Sequence, residues 1–185
     1  HSCTECEGVT SEADVPGYLS GVPFDPAGLA ERTPEEVRAA SRVAAWRQTQ
    51  IMFEGLCPAC SGPVQSWIEC CPDHDEQGIC ERCGTKFAVL ARFQCRICKN
   101  HNVSSPKALA LLHPAVIAFY EDHGISTRIR ADDGDSIRRV FDLMDGHTVE
   151  RITSEPASAG VTAVYDGDEI RVTFDERARV VDVRR

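Results

Sequence analysis

Eight of the ten cysteines in this 185-residue chain fall into four C-x-x-C pairs: Cys3/Cys6, Cys57/Cys60, Cys80/Cys83 and Cys95/Cys98. Cys70 and Cys71 are the remainder. Two residues between cysteines let both thiolates reach one ion at ~2.3 Å, and two such knuckles close a tetrahedron. A secreted disulfide framework would carry less regular spacing and a signal peptide, and none is visible. A thioredoxin-like redox motif needs one pair at a strand-to-helix turn, not four. The pairs therefore read as ligands for structural zinc. A site with four protein ligands has no open position for water, so the chain is not read as an enzyme.

The pair Cys57-Pro-Ala-Cys60 lies nineteen residues before Cys80-Glu-Arg-Cys83, a zinc-ribbon spacing. Two further pairs stand beside them, Cys71-Pro-Asp-His74 and Cys95-Arg-Ile-Cys98. Val64–Cys70 has no turn residue and reads as a strand. Pro72–Gly78 reads as the reversal that returns Cys80/Cys83 to Cys57/Cys60. Lys86–Gln94 then reads as a second strand of about 30 Å that carries Cys95/Cys98 to Cys71/His74. This gives two ions in interleaved sites, first pair with third and second with fourth. A sequential arrangement, 57/60 with 71/74 and 80/83 with 95/98, stays open. So do Cys70 in place of Cys71 and His101 in place of one of the last ligands. Loading both sites would take the formal charge from −9 to −12. Cys3/Cys6 is a knuckle without a partner: either it is unmetallated, or it is half of an upstream ribbon that would hold a third ion. The first residue, His1, points to a processed chain or a fragment.

The remaining pattern is α+β. Residues 1–30 read as loop containing that half-ribbon, 31–55 as a helix, 56–103 as a small β-rich zinc-ribbon domain, and 104–185 as helices packed on an antiparallel meander. Thr33, Pro34 and Glu36 form a capping-box start, and Gly55 ends the helix. Ser105–Pro106 opens a second helix, and Pro114 a third that ends at Gly124. His113 and His123 read as core or surface histidines rather than ligands. Ser136–Met144 fits helix or strand. Thr148–Thr153, Val161–Tyr165, Glu169–Phe174 and Arg179–Val183 alternate as strands, with Asp166–Gly167 as a hairpin turn. The acidic run Asp132, Asp133 and Asp135 lacks the full calcium-loop pattern and reads as a solvated loop.

Acidic residues number 29 against 20 basic ones, of which only Lys86, Lys99 and Lys107 are lysines. Such a surface suits concentrated salt, where carboxylate repulsion is screened. Arginine-favouring codon bias is the other explanation. A formal charge of −9 argues against this chain as a phosphate-backbone binder. No apolar run is long enough for a membrane span, and the expected location is cytoplasmic.

Several segments carry a resemblance: GLCPACSGPVQ, CPDHD, the strand into CRICKN, HPAVIAFYEDHGI and YDGDEIRVTFDERARVV. They resemble the long C-terminal region of haloarchaeal ArsR-type winged-helix transcriptional regulators, from about Gly21 onward. The resemblance implies a parent protein whose N-terminal winged helix-turn-helix reads DNA, followed by zinc ribbons and an α+β domain. No winged helix is seen in this sequence, and Cys3/Cys6 match only the second half of the family's upstream ribbon. DNA would thus be bound through the winged helix and not through this chain. These residues would supply scaffold, homodimerisation or effector sensing. The rival readings are a stand-alone zinc-ribbon adaptor for protein partners and a thiol-based redox or metal sensor.

Overall fold

A computed structural model describes residues 24–75 and 79–185. Cys3 and Cys6 lie outside these residues. The chain divides into two compact units. One comprises 24–70 and 89–185, and the other holds the described residues of 71–88.

In the larger unit, Pro26–Leu29 form a short 3-10 turn, and helix α1 spans Pro34–Phe53. Its start is the expected capping box: Thr33 Oγ1 accepts from the Glu36 amide at 3.3 Å, and the Glu36 carboxylate accepts from the Thr33 amide at 2.7 Å. Gly55, at φ +91°, takes the left-handed conformation just past its end. Ala40, Trp46, Thr49 and Met52 are its buried residues.

A three-stranded antiparallel sheet follows, in the order β1-β2-β3, from Val64–Cys70, Val89–Cys95 and His101–Ser104. β1 is the strand expected from sequence. β2 starts at Val89, three residues later than the expected strand, because 84–88 are held by a tight turn. Thr85 Oγ1 donates to the Phe87 carbonyl at 2.9 Å, and the Cys80 amide to the Thr85 carbonyl at 3.0 Å. The β1–β2 register sets Cys70 opposite Val89 and Val64 opposite Cys95.

Helices α2 (Pro106–Leu112), α3 (Pro114–Asp122) and α4 (Gly134–Gly146) precede the second sheet. Ser105 and His113 cap α2 and α3, each accepting from the amide two residues on. The ambiguous segment 136–144 is helical, because Asp133 caps α4 by accepting from the Ser136 amide at 3.0 Å. Strands β4 (Thr148–Ser154), β5 (Ala157–Tyr165), β6 (Asp168–Phe174) and β7 (Val180–Arg184) form an antiparallel meander. Asp166 (φ +49°) and Gly167 (φ +88°) make the two-residue turn between β5 and β6, with both residues left-handed as a type I′ hairpin requires. Val161, Ala163, Ile170, Val172 and Phe174 turn one face of this sheet into the core, where α2 packs on β4 and β5. Phe53 of α1 meets Phe174 edge-on at 6.5 Å. β1 is tied to the turn after β6: the Ile68 amide donates to the Glu176 carbonyl at 3.0 Å and Ser66 Oγ to the Arg177 carbonyl at 2.7 Å. The fold is mixed α+β with a zinc-ribbon-like cysteine region, as the sequence pattern indicates.

Candidate metal centres

Each of the three described C-x-x-C pairs folds into the same knuckle. The residue after its second cysteine is left-handed: Ser61 at φ +56°, Gly84 at φ +68° and Lys99 at φ +63°. The first cysteine's amide donates five residues ahead, Cys57 to the Gly62 carbonyl at 3.0 Å, Cys80 to Thr85 at 3.0 Å and Cys95 to Asn100 at 2.8 Å. The chain therefore wraps around its own two sulfurs. The fourth pair, Cys71-Pro-Asp-His74, turns differently, through Asp73 at φ +51°.

These knuckles meet in two sets. Cys57, Cys60, Cys95 and Cys98 form one, and Cys71, His74, Cys80 and Cys83 the other, with the ligand atoms of each set all within 4.8 Å of one another. The first set lies within the larger unit and the second within 71–88. In the first, Cys57 and Cys98 sulfurs are 3.6 Å apart and those of Cys60 and Cys95 3.5 Å. In the second, Cys71 and Cys80 sulfurs are 4.0 Å apart, and Cys83 Sγ is 3.5 Å from His74 Nδ1. Ligands ~2.3 Å from a shared tetrahedral centre would stand about 3.8 Å apart, whereas a disulfide needs about 2.05 Å. The spacing is that of metal ligands, and all eight described cysteines are free thiols.

The pairing corrects the one expected from sequence. The sites are not interleaved, nor are they sequential: the outer pairs share one set and the inner pairs the other. The interleaved scheme required the chain to travel back along β1 between its reversal and Cys80. β1 is seven residues long, about 23 Å, but only Ile79 separates Gly78 from Cys80. Cys80 therefore stays beside His74. The antiparallel register then delivers Cys95 opposite Val64, next to the first knuckle. Cys70 belongs to neither set. It follows β1's alternation, which turns neighbouring residues to opposite faces. His101 is exposed in β3 and belongs to neither set among the described residues.

Groups around the ligands hold them in place. His74 Nε2 donates to the Lys86 carbonyl at 3.1 Å, which leaves Nδ1 unprotonated and facing the cluster. Thr85 Oγ1 lies 3.3 Å from Cys83 Sγ, the Ile97 amide 3.4 Å from Cys95 Sγ, and Asn100 Nδ2 3.9 Å from Cys57 Sγ. Gly62 is required by close approach: a Cβ there would stand 2.9 Å from Ile97 and 3.2 Å from the sulfurs of Cys60 and Cys95. Sequence reading missed these supporting groups. Only Gly62, in Ser-Gly-Pro directly after the first knuckle, left a visible signal.

The thiols are not equivalent. Burial works against the Cys57 thiolate, but the amides of Ala59 and Cys60 and the thiols of Cys98 and Cys95 outweigh it and lower its pKa to about 6. Thr85's hydroxyl does most to lower Cys83, also to about 6, against its burial. Burial, then the neighbouring Cys83 and Cys80, push Cys71 up to about 11. Cys98 is favoured by the Asn100 amide, yet Cys60, desolvation, Cys57 and Cys95 push it up to about 12. In each cluster two thiols are lowered, Cys57 and Cys95 in the first and Cys83 and Cys80 in the second, while one, Cys98 or Cys71, is pushed up by its neighbours. A divalent cation removes that repulsion, so metal binding and thiol deprotonation drive one another. The donor sets, four sulfurs and three sulfurs with one imidazole, fit a thiophilic tetrahedral ion.

Fold and sites together define an α+β protein with a zinc-ribbon-like region and two donor sets that could each hold a metal ion. The chain belongs to the family described as domain of unknown function DUF7351, whose profile matches residues 1–180. No curated protein and no solved structure matches it. No described helix is long and apolar enough to cross a membrane.

Proposed function

We propose that this chain is the zinc-binding C-terminal portion of an ArsR-type DNA-binding transcriptional regulator, in which the ions hold the fold together and perform no reaction. The carrying observation is that both donor sets are complete, with four protein ligands each and no position left for a substrate. At one zinc per set, binding contributes much of the folding free energy of the segments concerned, since structural zinc is worth roughly 10–16 kcal/mol. The resemblance of the knuckles and of the α3 segment to that regulator family supports the assignment to transcription. The formal charge of −9 supports placing DNA contact in a winged helix and not in these residues.

Two measurements test this reading. Elemental analysis of protein prepared in reducing buffer should give two zinc ions for the residues described here. Fluorescence anisotropy against the promoter of the parent gene should show sequence-specific binding by a protein carrying the winged helix and none by this chain. Sub-micromolar, sequence-dependent binding by the chain alone would move DNA recognition into the metal region. A zinc content near zero would remove the structural role.

A further inference from the structure

Helix α4 uses its two faces differently. Ser136, Ile137 and Val140 are buried, whereas Asp135, Arg138, Arg139, Asp142 and Leu143 recur at helical spacing along a cleft of about 600 Å³. The facing wall comes from Tyr120 of α3 and from Val164 and Tyr165 of β5. That volume lies within the range of small-molecule sites, as does the combination of an apolar wall with a few polar groups. The two tyrosine rings meet edge-on at 6.1 Å, which fixes the wall.

The charges in the cleft sum to zero, so it selects neither a plain anion nor a plain cation. Arg138 and Asp135 satisfy each other at 3.2 Å. Arg139 and Asp142 do not. Arg139 gives Nε to the Ser126 carbonyl at 3.0 Å, and its terminal nitrogens and the Asp142 carboxylate make no hydrogen bond or ion pair among the described residues. As i and i+3 neighbours on one helix face they project side by side, their Cβ atoms roughly 5–6 Å apart. A ligand bearing a carboxylate and an ammonium on one carbon can engage both at once. Its side chain would then lie on Leu143, Val164 and Tyr165, with the buried Tyr120 behind them.

We propose that this cleft binds a small zwitterion with an apolar side chain, an α-amino acid, with Arg139 receiving the carboxylate and Asp142 the ammonium. The site supplies an effector for the regulator reading above, and its effector role rests on that reading; the binding itself does not.

Isothermal titration of the zinc-loaded chain with L-phenylalanine and L-leucine should give saturable binding by at least one. 3-Phenylpropionate and phenethylamine, each lacking one charge, should bind at least tenfold more weakly than phenylalanine. Arg139→Gln and Asp142→Asn should each cost a similar factor while leaving far-UV circular dichroism unchanged. Asp142→Asn should also erase the preference for phenylalanine over 3-phenylpropionate. Val164→Arg, at a position 59% exposed, tests the same wall without touching either charge and should also abolish binding. No saturable heat from either amino acid, equal binding of 3-phenylpropionate by the unaltered chain, or indifference to all three substitutions would overturn the proposal. Binding that leaves the DNA affinity of the winged-helix-bearing protein unchanged would support the site and remove only its regulatory role.

Discussion

A left-handed residue closes each C-x-x-C knuckle, yet only one of the three, Gly84, is a glycine. Ser61 and Lys99 accept that backbone because the turn hydrogen bonds across each knuckle over-determine it. The residues of both sets were legible in sequence, six as C-x-x-C pairs and Cys71 and His74 as a C-x-x-H pair beside them. Their partnership was not, because it depends on how far the chain travels between knuckles. The nested pairing gives a direct expectation. Cys57→Ser and Cys95→Ser should each release one zinc, and the double variant should still hold the other. His74→Ala with Cys83→Ser should behave likewise for the second ion, whereas Cys95→Ser with His74→Ala should lose both. Zinc content of the three double variants decides it. A second residue-scale expectation concerns His147, which is 2% exposed and bonded through Nε2 to the Tyr120 hydroxyl at 2.7 Å, with no hydrogen-bond partner at Nδ1 among the described residues. Burial, assisted by the nearby Lys107 charge, lowers its pKa from 6.5 to about 4. The folded protein therefore binds fewer protons than the unfolded chain between these values. Its stabilising contribution is complete above pH 6.5 and is lost as pH falls through about 4, by about 3 kcal/mol at most. Urea unfolding of the protein and of His147→Asn across this range should show their difference growing with pH and then levelling. A constant difference would mean that His147 takes up its proton in the fold as readily as in the unfolded chain.

At the scale of elements, β1, α1 and the meander were readable because apolar period, caps and turn residues agreed, although β5 starts at Ala157, four residues before the expected Val161. β2 was misplaced by three residues and α4 was ambiguous. In both, the decision belongs to a hydrogen bond at the element's edge, from Thr85 in one and Asp133 in the other, and not to hydrophobic pattern. The β1–β2 hairpin has a further property. Cys70 pairs with Val89, and everything between them is the second metal loop. Replacing residues 71–88 by Asn-Gly should close the hairpin as a two-residue turn and leave Cys57, Cys60, Cys95 and Cys98 loaded. We expect one zinc per chain and a cooperative melt that EDTA still shifts. A variant that holds no zinc would show that the first site needs the loop.

For the whole molecule the decisive quantity is charge: 29 acidic residues, 20 basic ones and three lysines. Most ion pairs here are exposed or half-exposed, as with Arg38–Glu35 and Arg138–Asp135, and such pairs add little. The net repulsion is therefore the larger effect, and it is screened as the Debye length falls to ~3 Å in molar salt. Unfolding midpoints should rise from dilute buffer to molar KCl, and a flat or falling response would leave codon bias as the origin of the composition. Charge says nothing about the order in which the ions enter, but the ligand order along the chain does. Written as brackets, the two sites never cross: one opens and closes wholly inside the other. Filling the inner site first shortens the path from Cys60 to Cys95 from about 35 residues to about 23, which eases the outer closure by only roughly 0.4 kcal/mol. Neither ion is threaded through the other's loop. One ion in each set could therefore be gained, lost or exchanged without opening the other.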